Sequence, residues 1–98
     1  KKKKERGDVM KAFITVIGKD KIGIIYRISG VLQENQINIL DINQTLMQDY
    51  FTMVMLVDLS LMTIDFVTLK EKLERLADEI GVSIKIQRED IFNSMHNI

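Results

Sequence analysis

No cysteine occurs in the 98 residues. Disulfides, thiolate nucleophiles and the Cys-x-x-Cys metal site used by small βαββαβ metal carriers are therefore excluded. Proline is also missing, which leaves sharp turns to the five glycines and to polar residues. One histidine, His96, stands near the chain end with no second ligand in view, so no metal site and no cofactor are expected. No apolar run is long enough for a secretory signal or a membrane span, and a cytoplasmic location is the default expectation. Net charge is lacking as well, with 14 basic side chains against 14 acidic ones. That balance hides an asymmetry: Lys1 to Lys4 and Arg6 carry five of the positives against Glu5 and Asp8. Residues 10–98 then hold nine positives and twelve negatives, a mildly acidic balance that disfavours a surface for phosphate backbones.

What is present fits one soluble domain. Apolar residues make up 46% of the chain and charged residues 29%, ordinary values for a globular protein with a single adequate core. Residues 1–9 read as a disordered basic leader or tag, and 10–98 as the domain.

The segment Gly18-Lys19-Asp20-Lys21-Ile22-Gly23-Ile24 is a polar turn between an apolar run and a helical pattern. A helix that opens here presents unpaired N–H groups and the positive end of its dipole, which suits an anion such as a carboxylate. The same residues also suit a plain strand-to-helix connection, with Asp20 orienting the turn or capping the helix.

Lys11 to Ile17 alternates with both faces largely apolar, as in a central strand. Ile24, Ile25, Ile28, Val31 and Leu32 form one helical stripe that ends at Asn35-Gln36. Gly30 inside it costs about 1 kcal/mol relative to alanine, and close packing of helix on sheet is the expected reason. Ile37 to Met47 predicts an edge strand, with Leu40, Ile42, Gln44 and Leu46 on one face and Asp41, Asn43 and Thr45 on the other. Gln48-Asp49 turns the chain into a second central strand, Tyr50 to Val57, whose Met53 and Met55 are core filler. Thr63 or Asp65 caps a second helix carrying Phe66, Leu69, Leu73, Leu76 and Ile80, and Gly81 ends it. Val82, Ile84 and Ile86 mark a fourth strand. Ile91, Phe92, Met95 and Ile98 suggest a short C-terminal helix.

The order βαββαβ with right-handed crossovers gives a ferredoxin-like α+β sandwich: a four-stranded antiparallel sheet in order 4-1-3-2 with two helices on one face. The central strands are apolar on both sides. A second copy of the chain is the natural cover for what the helices and the C-terminal stripe leave bare, so a homodimer is expected.

"ITVIGKDKIGII" from Ile14 to Ile25, "NILDINQTLMQDYFTMVMLV" from Asn38 to Val57, and the ending "IFNSMHNI" from Ile91 together resemble the ACT domain. The Asp20-Lys21-Ile22-Gly23 turn, the Asn38-Ile39 entry to the second strand and that ending resemble small stand-alone bacterial ACT proteins related to the repressor of the glycine cleavage system. The resemblance implies regulation by binding a small metabolite, commonly an amino acid, between paired domains. Carried over by position, it implies ligand contact by Asp20, Lys21, Ile22, Gly23 and Ile24 at the turn, and by Asn38 and Ile39 at the start of the second strand, reached from a partner chain. The sequence departs from the family in having Ile22 where proline often precedes the glycine, and aspartate at position 20. An acidic group there favours an ammonium over a carboxylate.

Other classes fit less well. An acylphosphatase needs an arginine in the loop after strand one, and here that loop offers only Lys19 and Lys21. No nucleophile-base pair or carboxylate dyad stands at motif spacing, so no catalysis is expected. RNA-recognition motifs share the topology but need a basic residue and glycines among their aromatics, which Asp49-Tyr50-Phe51-Thr52-Met53 lacks. The remaining alternatives are a ligand-free assembly module, joined to a regulatory protein partner, and a regulator of gene expression acting through a partner.

Overall fold

The structure is a computed structural model and describes residues 10–19 and 21–89. Six elements follow one another: β1 (Lys11–Gly18), α1 (Lys21–Glu34), β2 (Asn38–Met47), β3 (Tyr50–Asp58), α2 (Phe66–Ile80) and β4 (Ser83–Arg88). The sheet has the order β2-β3-β1-β4, all neighbours antiparallel. This is the expected order read from the other edge.

Alternation along the central strands sets which face is buried. Ala12, Ile14 and Val16 of β1 pair with Val57, Met55 and Met53 of β3, and all six are at most 1% exposed beneath the helices. Ile28 and Leu32 of α1 and Leu69 and Leu73 of α2 close the core from above. On the other face Phe13, Thr15, Val54 and Leu56 are half-buried and Ile17 is exposed. The expected C-terminal helix and the leader lie outside the described residues.

Asp65 takes the extended backbone of an N-cap and its carboxylate accepts from the Thr68 N–H at 2.9 Å. At the far end Gly81, at φ 72°, closes α2, and the Val82 N–H donates to the Ala77 carbonyl at 3.0 Å. The end of α1 is built alike. The Ile37 N–H donates to the Leu32 carbonyl at 2.9 Å, and Gln36 takes φ 62°. Buried Asn35 secures that corner by donating from Nδ2 to the Val31 carbonyl, while its backbone carbonyl accepts from the Thr63 N–H.

Two expectations are corrected. Gly30 is exposed, and a Cβ there would meet nothing within 4 Å, so close packing does not explain it. In β2 the register slips between Ile39 and Asp41: Ile39 pairs with Val57 and Asp41 with Leu56. Leu40 is the extra residue of a β-bulge and does not share a face with Ile42; Ile39 does.

Candidate ligand site

The turn after β1 is tighter than the sequence pattern implies. α1 begins at Lys21, so Lys21, Ile22, Gly23 and Ile24 form its first turn rather than a loop before it. An α-helix leaves its first N–H groups without partners in the helix, and Gly23 adds no side chain to that turn. A Cβ on Gly23 would meet nothing within 4 Å. Neither Gly18 nor Gly23 has a positive φ, so their use at this turn is spatial rather than conformational. Gly18 is buried, with Val82 Cγ1 only 2.5 Å from where its Cβ would stand.

Ile24 is 3% exposed and anchors the turn in the core, so its side chain serves packing. Lys19 is exposed, and its ammonium lies 5.3 Å from the centroid of the Tyr50 ring, a cation–π contact between the turn and the start of β3. Between them opens a cavity of about 410 Å³ lined by Ile17, Gly18, Lys19, Tyr50 and the stretch from Ile80 to Ser83. Lys19 and Tyr50 carry polar chemistry at this end that the sequence pattern did not mark; only the pairing of Gly18 with Phe51 reveals their nearness. Asp20 lies outside the described residues.

Asn38 and Ile39 sit elsewhere. Register places Asn38 opposite Asp58, which pairs in turn with Lys11, whereas the turn follows Gly18 at the other end of β1. The eight-residue β1 separates the two ends by roughly 25 Å. Asn38 is exposed and lines its own hollow of about 340 Å³ with Gln33, Gln36, Ile37 and Leu61. Within one chain, the start of β2 and the opening of α1 do not meet.

Among the described residues, no group of three or more His, Cys, Asp or Glu side chains is arranged to hold a metal, and no helix is long and apolar enough to cross a membrane. The turn offers backbone donors and the Lys19 ammonium, and the Asn38 amide stands at the other end of the sheet.

Residues 11–87 match the ACT domain family. The chain is 58% identical over 89 residues to a UPF0237 protein of Clostridium acetobutylicum, a match covering 91% of this chain and all of that one. An ACT domain protein from Streptococcus pneumoniae superposes with a TM-score of 0.75 at 44% identity, covering 86% of this chain and 94% of that structure. A structure described as a glycine cleavage system transcriptional repressor shares the fold with a TM-score of 0.71 at 16% identity, covering 82% of this chain and 46% of the other.

Proposed function

Because the chain belongs to the ACT domain family, whose members are regulatory modules that bind small molecules, we propose that it is a non-catalytic sensor of an amino acid or similar metabolite, working as a homodimer in the cytoplasm. The observation that carries this reading is the open first turn of α1. Gly23 adds no side chain at this opening, and the N–H groups of a helix start suit the carboxylate of an amino acid. Asp20, in the same turn of the sequence, is assigned the α-ammonium.

Asn38 and Ile39 complete the site in this proposal, contributed by the second copy. Their distance from the turn in one protomer supports that division of labour. Ligand bound between subunits biases the dimer only by its differential affinity for one arrangement. The output passes to a regulatory protein partner that senses that arrangement.

A thermal-shift screen with each of the twenty amino acids tests the sensing role. A cognate ligand at 100 times its dissociation constant stabilises the folded state by about 2.7 kcal/mol. No shift with any amino acid, alongside a stably bound protein partner, favours a ligand-free assembly module instead.

A further inference from the structure

Among the described residues, β4 pairs with β1 on one side and ends the sheet on the other. Alternate residues of such an edge strand turn their N–H and C=O groups outward, a row able to take another strand. Beside this edge lies a cavity of about 540 Å³, larger than either hollow above. Its walls come from both faces of the sheet. Phe13 and Thr15 of β1 alternate with buried Ala12, Ile14 and Val16 and so stand on the open face, whereas Lys70, Leu73 and Glu74 belong to α2 on the helix side. β4 itself gives Ile84 and Ile86 on the helix side and Lys85 on the open face. One hollow reaches both faces only by passing round the outer edge of β4.

We propose that this edge takes up an extended segment of a partner protein as a fifth strand, one that alternates apolar with acidic side chains. Strand addition of this kind draws affinity from main-chain hydrogen bonds and specificity from pockets for alternate side chains. On the helix side, the added strand's side chains meet Ile84 and Ile86, both 8% exposed, and Leu73, 1% exposed. That is an apolar floor. On the open face they meet the exposed ammonium of Lys85, and an opposite charge directly across from it is favoured. Lys70 and Glu74, both exposed on α2, bring one charge of each sign and leave Lys85 to set the preference. The inference gives the regulatory protein partner invoked above a place to hold, and rests on that reading for the partner's existence.

A second copy of β4 fits this edge poorly. Two copies joined antiparallel about a two-fold axis keep helix side against helix side, so the axis must pass through a residue. Through Lys85, it sets two ammonium groups face to face; through Ile86, it sets Ile84 against the other copy's Arg88. An axis at Ile84 or at Gln87 leaves only three residues of the strand paired. A cationic, short strand guards an edge against its own kind. The same lysine admits a strand of opposite charge.

Two end-capped seven-residue peptides serve as probes, one alternating valine with glutamate and the other valine with lysine. The glutamate peptide is expected to bind the full chain more tightly, by about threefold or more, and to move amide NMR signals along β4. Lys85→Glu, at an exposed position, is expected to reverse the order of the two peptides with an unchanged circular dichroism spectrum. The proposal is overturned if neither peptide binds at millimolar concentration, if the signals that move lie along β2 instead, or if Lys85→Glu leaves the preference as it was. Self-association that the glutamate peptide displaces gives the edge to a second copy, and nuclear Overhauser contacts from residues 91–98 into the cavity give it to the chain's own sequence; either result overturns the choice of a partner strand. The amino-acid thermal-shift screen reads the sensing role separately. A shift there without peptide binding removes this surface and leaves the sensor standing.

Discussion

Gln36 and Gly81 hold the same place in the same motif at the ends of the two helices, at φ 62° and φ 72°. The left-handed conformation costs a residue with a Cβ roughly 1–2 kcal/mol and a glycine almost nothing. Gln36→Gly therefore stabilises, by up to about 1 kcal/mol after the greater freedom of the unfolded chain is allowed for. Gly81→Gln destabilises by a similar amount. Urea unfolding of both variants checks the pair, and the same sign of change in both would contradict it.

Gly30 and Gly23 give a second comparison, because a methyl group fits in open space at each. Gly30→Ala stabilises by about 1 kcal/mol through helix propensity alone, and Gly23→Ala by less, standing in the first turn. Only Gly23→Ala intrudes on the helix opening. Its expected signature is a higher melting temperature without ligand and a smaller rise on adding the cognate amino acid.

Gly18→Ala behaves in the opposite way. Its new methyl group would press on Val82 and on Ile24 Cδ1, 3.0 Å away, at a buried position. Overpacking of this kind costs about 1–3 kcal/mol. Val82→Ala in the same chain restores part of the loss, and a double-mutant cycle in urea measures how much.

Asp65 gives the fold an acid-sensitive contact. The hydrogen bond from Thr68 holds its carboxyl below the ordinary value. A depressed carboxylate contributes stability that is present above its unfolded-state value and lost as pH falls through the folded-state value. The melting temperature is thus expected to drop below about pH 4, and less steeply in Asp65→Asn, which keeps a capping oxygen without the charge. Equal acid sensitivity of the two proteins would remove Asp65 as a source.

The order of elements was legible in the sequence because the patterns are local: period two in β1 and β3, period 3.6 in both helices, Asp65 and Gly81 at the ends of α2. The edge position of β2 was legible for the same reason. Three features were not. The bulge at Leu40 depends on β3 and leaves no mark in a strand whose residues alternate well either way. Gly18 owes its place to Val82, sixty-four positions away, and the meeting of Lys19 with Tyr50 is likewise a matter of register. As for the site, the opening of α1 was marked by its glycines, but the separation of Asn38 from it follows only from the direction of each strand.

Leu40 makes the length of β2 matter as much as its composition. Removing that one residue would leave Ile39 opposite Val57 and Asp41 opposite Leu56 with nothing between them, so the ladder would close and Asn38 and Ile39 would keep their faces. Losing the bulge with the residue kept does the reverse: were Leu40 itself to pair with Val57, Ile39 would turn to the open face and Asn38 to the helix side. The chain's phase between α1 and Asp41 is a coordinate in its own right, set by counting rather than by chemistry.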